Sequence, residues 1–107
     1  MSETLIKLQQ LARQRNVRVS DHGSEETQED EIDPELLVQG VETAILVEHY
    51  PDAFKGPTVL VLQDYKGLPV HVVWGLARDN TDIATLITAY FPASDKWFDD
   101  FIRRKQR

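Results

Sequence analysis

Three consecutive segments between residues 58 and 91 are rich in β-branched and aromatic residues, and only short turns separate them. The turn segments, residues 65–67 (YKG) and 79–82 (DNTD), have the residue types of tight hairpin turns. Short turns join antiparallel strands, because a parallel connection needs a long crossover. A β-branched run further upstream adds a fourth strand, so we predict a four-stranded antiparallel meander. The predicted strands are Ile45–Val47, Thr58–Asp64, Pro69–Leu76 and Ile83–Phe91.

Helical signals flank the predicted sheet on both sides. Ser2 can cap a helix whose leucines at positions 5, 8 and 11 recur at helical spacing and which ends near residue 16. Asp33 and Pro34 supply the cap and the first-turn proline of a second helix. Ser94 starts a pattern with an apolar stripe, which predicts a C-terminal helix docked on the sheet. That stripe consists of Trp97, Phe98, Phe101 and Ile102.

The predicted fold class is therefore α+β: N-terminal helices packed on a four-stranded antiparallel meander sheet, followed by a C-terminal helix. A chain of 107 residues is expected to form a single domain over residues 1–107. Within it we expect an N-terminal helix in residues 1–16, an acidic helix or loop in residues 21–32, and the core in residues 33–99. Residues 17–20 alternate between apolar and polar and could form a short extended segment.

Charge is unevenly distributed along the chain. Eight of the 18 acidic residues lie between Asp21 and Glu35, with no Lys or Arg among them, and the net charge is −6. Nucleic-acid binding draws much of its affinity from a basic face, so the acidic balance disfavours a nucleic-acid partner without excluding one. Four bases near the C-terminus suit the negative end of the predicted last helix. They are Arg103, Arg104, Lys105 and Arg107.

Several classes of protein are excluded or disfavoured by composition. The chain has no cysteine, so disulfides, thiolate metal ligands and a cysteine nucleophile are excluded. Its apolar runs fall far short of the ~20 residues that span a bilayer. The N-terminal segment lacks the apolar stretch of a secretory signal. We therefore expect a cytosolic protein without membrane association, and no motif predicts a cofactor.

The two faces of the predicted third strand differ in polarity. Side chains alternate between faces with period two, so Val70, Val72 and Trp74 share the better core face, while His71 lies on the other. Thr88 and Tyr90 of the fourth predicted strand can join His71 on that more open face. A histidine among valines must be hydrogen-bonded or solvent-lined, so His71 is the main candidate for a site. The alternative is a structural histidine satisfied by a backbone group or by a partner across the sheet.

Four short segments resemble motifs of a bacterial family known as domain of unknown function 4258. They follow in the family's order, and the later ones are the more specific. The segments are VSDHG at 19–23, EHYPD at 48–52, LPVHVV at 68–73, and ITAYFP at 87–92 leading to DKW at 95–97. By this resemblance the chain is identified as a divergent member of that family.

The resemblance implies the fold of RelE-like and BrnT-like toxins, which are small ribonucleases with helices on an antiparallel sheet. It implies that His22, His71, Thr88 and Tyr90 line a shared face. Cleavage of RNA through its 2′-hydroxyl needs a base, an acid and cationic stabilisation of the transition state. His71 and His22 would supply the acid and base, and Tyr90 would position the phosphate. Where the family often has arginines, however, this chain has Glu25 and Phe91.

Each candidate residue has a second interpretation. His22 and Glu26 stand one helical turn apart and could bind a ligand, but a lone His-x-x-x-Glu pair is not specific, and we predict no metal site. Thr88 is a candidate binding residue that β-propensity alone also explains. The leading hypothesis is a non-catalytic module that binds a protein partner, antitoxin-like or other. The alternative is a ribonuclease-like toxin using His71 and His22, so enzymatic activity stays an open question.

Overall fold

The computed structural model describes residues 2–77 and 80–105, and in this part of the chain it has three α-helices and a five-stranded mixed sheet. The α+β class is therefore confirmed. A single turn of 3₁₀ helix, Val41–Thr43, leads into the second strand. The helices are α1 (Glu3–Arg13), α2 (Asp21–Glu29) and α3 (Pro34–Gly40), and the strands are β1 (Val17–Val19), β2 (Ile45–Tyr50), β3 (Thr58–Tyr65), β4 (Leu68–Ala77) and β5 (Asn80–Tyr90).

The strands are ordered β1-β5-β4-β3-β2, with β4 in the middle. Strands β2 to β5 form the predicted antiparallel meander, but β1 adds a fifth strand that runs parallel to β5. The prediction of four antiparallel strands is therefore wrong. In β1, Val17 pairs with Ala84 and Val19 with Leu86. The alternation in residues 17–19 indicates an extended segment, but it does not indicate that this segment pairs with β5.

The hydrophobic core lies between the helices and one face of the sheet. Val70, Val72 and Trp74 are completely buried there, which confirms the predicted core face of the central strand. Leucines of α1 and α3 complete this core. The indole Nε1 of Trp74 donates a 2.9 Å hydrogen bond to Oε1 of Gln63, and Nε2 of Gln63 donates one of 2.9 Å to the carbonyl of Leu37. The buried amide is thus satisfied, which avoids the cost of an unpaired polar group.

The acidic segment is helical over Asp21–Glu29 although it has no apolar stripe. Small residues explain its packing, since an added Cβ at Gly23 would lie 2.7 Å from the carbonyl oxygen of Leu86. Ser20 caps the helix by accepting from the Gly23 amide at 2.9 Å, and its Oγ donates to the carbonyl of Ile87 at 3.0 Å. Strand β1 thus pairs with β5, and helix α2, which follows β1 in the chain, packs against the same strand.

The predicted C-terminal helix is absent from the described residues, so that prediction is wrong. An irregular hairpin replaces it, in which the Phe98 amide donates to the Arg103 carbonyl and the Lys105 amide to the Lys96 carbonyl, both at 2.9 Å. Asp100 explains the difference, because its Oδ1 accepts from the amides of residues 102 and 103 at 2.9 and 3.1 Å. Such local bonds compete with helix formation. Phe101 then has a φ of 56°, outside the right-handed helical region.

The predicted turn at 79–82 is also placed differently. Ala77 pairs with Asn80, so Asn80, Thr81 and Asp82 already belong to β5, and Asp79 lies outside the described residues, as does Arg107 of the basic C-terminus. Residues 80–82 are polar and exposed, so their composition resembles that of a turn although they form the first part of β5. None of the described helices is long and apolar enough to cross a membrane.

Candidate functional site

His71 lies on β4, with Leu62 on one side and Tyr90 directly opposite it on β5. Its side chain projects from the sheet face opposite the helices, which we call the His71 face. We expected this face to be open, but His71 is 0% exposed. The C-terminal hairpin covers it, with the Trp97 ring 4.4 Å from the imidazole in an edge-on arrangement. Trp97 itself is only 3% exposed.

Both ring nitrogens of His71 have partners. Nε2 lies 2.6 Å from the carbonyl oxygen of Phe101, and Nδ1 lies 3.4 Å from the hydroxyl of Tyr90. A carbonyl oxygen only accepts, so Nε2 must carry the proton and donate it. In the neutral ring Nδ1 is then the acceptor, and the Tyr90 hydroxyl donates to it. The backbone contact of the C-terminal hairpin thus fixes the tautomer of His71.

Burial lowers the pKa of His71 below its ordinary value, because the charged imidazolium loses its hydration. The Phe101 carbonyl and the carboxylate of Glu48 act in the opposite direction, while the positive charge of Arg104 lowers the pKa further. Burial likewise raises the pKa of Tyr90 above its ordinary value. Neutral forms are therefore favoured for both groups, and neither is poised to exchange a proton with bulk water.

An ion pair fastens the hairpin to the edge strand β2. Nε and Nη2 of Arg104 donate to the two carboxylate oxygens of Glu48 at 2.9 and 3.0 Å, and the guanidinium stacks 4.5 Å from the centre of the Trp97 ring. The hydroxyl of Tyr50 donates to the same carboxylate. These bonds hold the pKa of Glu48 below its usual range and raise that of Tyr50. Arg104, Trp97 and Glu48 form a clasp over His71.

The clasp was not foreseen from the sequence. Glu48 lies in the EHYPD segment that contributes to the family resemblance, but the segment does not indicate what the carboxylate contacts. Arg104 was explained by the dipole of a helix that does not form. The two residues are 56 positions apart, and no local pattern links them. The guanidinium of Arg104 does lie near His71, whereas positions 25 and 91 hold Glu and Phe.

Tyr90 and Thr88 both share a face with His71, as the period-two pattern predicted. Thr88 pairs with Val73 and is half-buried. A register shift follows between Val73 and Trp74, which pairs with Leu86, so Ile87 is bulged. The structure thus brings three of the predicted site residues together: His71, Tyr90 and Thr88.

His22 and Glu26 lie elsewhere, on α2. The His22 side chain is 61% exposed, and its Nε2 is 3.6 Å from the Glu26 carboxylate. Within residues 2–77 and 80–105, no hydrogen bond, ion pair or ring contact joins His22 to His71. The described residues also contain no group of three or more His, Asp or Glu placed to hold a metal ion. The pairing of His22 and His71 as acid and base therefore has no direct contact behind it.

The expected arginine positions hold no cation, as the sequence indicates. Glu25 is exposed, and Phe91 is 39% exposed with its ring 6.3 Å from that of Tyr65. A further histidine, His49, contacts the Thr4 hydroxyl at 3.0 Å through Nε2 and so links β2 to α1. In the described structure, acid–base chemistry at the His71 face would first require displacement of the clasp.

The fold and this face define a small α+β protein in which a central, buried histidine of a mixed sheet is covered by the chain's own C-terminal hairpin. The family model described as Domain of unknown function (DUF4258) matches residues 19–91. The chain belongs to that family, which confirms the resemblance of the short motifs. No curated protein and no solved structure matches the chain.

Proposed function

We propose that this protein is a non-catalytic protein-interaction module built on a RelE/BrnT-like fold. The observation that carries the proposal is the complete burial of His71 with both ring nitrogens engaged. A general acid or base must come within hydrogen-bond reach of the substrate atom that it serves. A histidine that donates to a backbone carbonyl beneath a buried tryptophan has no such access.

The outer face of α2 supports a binding role. Asp21, Glu25, Glu29 and Asp30 are exposed, and among the described residues none of them forms an ion pair. Glu29 and Asp30 lie at the C-terminal end of the helix, where the dipole disfavours negative charge. Several acids elsewhere are paired, as in the 2.6 Å contact between Glu42 and Arg13, but the unpaired ones there are not concentrated on one helix. An uncompensated acidic helix fits a partner protein with a basic surface.

Affinity capture from the native host tests the binding role. The wild type is expected to retain a protein partner that a variant carrying Glu25→Gln and Glu29→Gln loses, since the charge complementarity is removed. A matched control carries Asp52→Asn and Asp95→Asn, which remove two exposed acids elsewhere. Equal capture by all three forms, or capture of RNA alone, would contradict the proposal.

Assays of RNA cleavage and of growth test whether the protein is non-catalytic. Purified wild-type protein is expected neither to cleave RNA nor to arrest growth on expression, with His71→Gln behaving identically. Glutamine keeps an amide donor for the Phe101 carbonyl, so this variant has a better chance of folding than His71→Ala. Cleavage by the wild type that His71→Gln abolishes would overturn the non-catalytic proposal.

A ribonuclease-like toxin is the second candidate, and the adjacency of His71 and Tyr90 favours it. Their rings are 5.5 Å apart, and Arg104 lies close enough to influence the pKa of both. This candidate requires the clasp to open. A protein carrying Trp97→Ala and Arg104→Gln would then cleave RNA, and adding His71→Gln would abolish the cleavage. Absence of cleavage in the opened form would rule this candidate out.

A further inference from the structure

A cleft of about 560 Å³ opens on the His71 face at the end away from the clasp. Strand β1 and the start of α2 form one wall, the loop between β2 and β3 forms the other, and β4 and β5 form the floor. Its volume is within the range of small-molecule sites, roughly 300–1,000 Å³. The lining residues used below are Arg18, Asp21, Lys55, Gly75, Ala77 and Ile87.

The floor of the cleft is apolar because of a glycine in the central strand. An added Cβ at Gly75 would lie 2.8 Å from Cδ1 of Ile87 and 3.3 Å from the Thr58 hydroxyl, so only glycine lets these side chains approach β4 so closely. Ala77 extends the same floor. Such a surface suits a flat or apolar molecular body.

The walls carry cations that the protein leaves unpaired. Arg18 and Lys55 are both exposed, they stand on opposite walls, and neither forms an ion pair. Arg18 is the only arginine of the described residues without a carboxylate partner; the paired ones are Arg13, Arg15, Arg103 and Arg104. Asp21 is the one carboxylate in the lining, so the cations outnumber it.

We propose that this cleft binds a phosphate monoester with an apolar or planar body, such as a nucleoside monophosphate. A guanidinium binds phosphate through two parallel hydrogen bonds, and an ammonium adds a point charge from the other side. The apolar floor would hold the body of the molecule. Arg18, Lys55 and Gly75 belong neither to the clasp nor to the acidic face of α2, so the inference does not depend on the function proposed above.

Two-dimensional NMR titration of the ¹⁵N-labelled full chain tests the site. The probes are adenosine 5′-monophosphate, phenyl phosphate, inorganic phosphate, adenosine and benzoate. Saturable shifts at the amides of Arg18, Lys55 and Gly75 are expected with the first two, with at least tenfold weaker binding of the other three. Equal binding of benzoate or adenosine, no saturation at millimolar concentration, or shifts confined to other surfaces would overturn the proposal.

Variants at the walls give the second measurement. Arg18→Gln and Lys55→Gln are each expected to weaken the binding of adenosine 5′-monophosphate by about tenfold, since each removes a charge-assisted contact. Lys96→Gln, an exposed lysine outside the cleft, should bind within about twofold of the wild type. Both cleft residues are exposed, so folding is expected to be retained, and circular dichroism verifies it. Wild-type affinity in both cleft variants would overturn the assignment.

A further probe identifies the source of the phosphate. A short oligoribonucleotide with a 5′-phosphate presents the same chemistry as the free mononucleotide. Tighter binding of the oligonucleotide would assign the cleft to a nucleic-acid end, and weaker binding would assign it to a free mononucleotide. Either result supports the phosphate site only if Arg18→Gln weakens the binding of both probes. Binding that is insensitive to this substitution would overturn the proposed site.

Discussion

Protonation of His71 should destabilise the folded protein as the pH falls below 6.5, the ordinary pKa of histidine. Burial holds the pKa of His71 below its ordinary value of 6.5 in the folded state, whereas the unfolded chain keeps that ordinary value. The unfolded state therefore binds the proton first. The stabilisation is complete above pH 6.5 and is lost as the pH falls towards the folded pKa.

The size of the effect follows from one proton. Within that window the free energy of unfolding should fall by up to about 1.4 kcal/mol per pH unit. One pH unit can thus remove roughly a tenth to a quarter of a total stability that is typically about 5–15 kcal/mol. Carboxylates with lowered pKa values add their own acid sensitivity, but only below the ordinary values of 4.5 for Glu48 and 3.8 for Asp100. The range above pH 5.5 therefore isolates the histidine.

Urea unfolding at several pH values and constant salt measures this slope. The His71→Gln variant is less stable throughout, because it fits the Phe101 carbonyl and the Tyr90 hydroxyl less well, but its stability should be nearly independent of pH over the same range. His22→Gln and His49→Gln, which remove the two exposed histidines, are the matched control variants. A wild type with no slope, or a His71→Gln variant with the full slope, would refute this account of the buried neutral imidazole.

Two further predictions concern the clasp and α2. Arg104→Gln should destabilise the docked hairpin by about 1 kcal/mol and raise the hydrogen-exchange rate of its amides about fivefold. Arg103→Gln removes the 2.9 Å pair with Asp100 and a contact 4.8 Å from the centre of the Phe98 ring, both within the hairpin, and should change both quantities less. Equal effects of the two changes would show that the clasp does not hold the hairpin. Gly23→Ala should destabilise the protein by about 1–3 kcal/mol in thermal or urea unfolding, because its Cβ would meet the Leu86 carbonyl, although alanine normally favours a helix. The exposed change Ser24→Ala on the same helix should be neutral or stabilising, and stabilisation by Gly23→Ala would contradict the close packing of α2 on β5.

Local sequence patterns predicted which candidate residues share a face of the sheet. They did not predict which parts of the chain pack against those residues. Period two placed Tyr90 beside His71 and the valines on the core face, since alternation is a property of any extended chain. One interpretation of His71 was a structural histidine satisfied by a backbone group, and the carbonyl of Phe101 is such a group. No pattern indicated which backbone group it would be, because that depends on where the hairpin docks.

The sequence by itself determined the antiparallel meander, the core face of its central strand and the family of the chain, because each of these is written in short-range periodicity, turn residues or contiguous motifs. Only the tertiary structure decided that β1 pairs with β5, that Gly23 brings an acidic helix onto the sheet, and that Arg104 closes the C-terminal hairpin over His71. The physical reason is that these contacts join residues tens of positions apart. Their geometry depends on the packing of the whole chain, and a candidate catalytic histidine therefore became a buried neutral one.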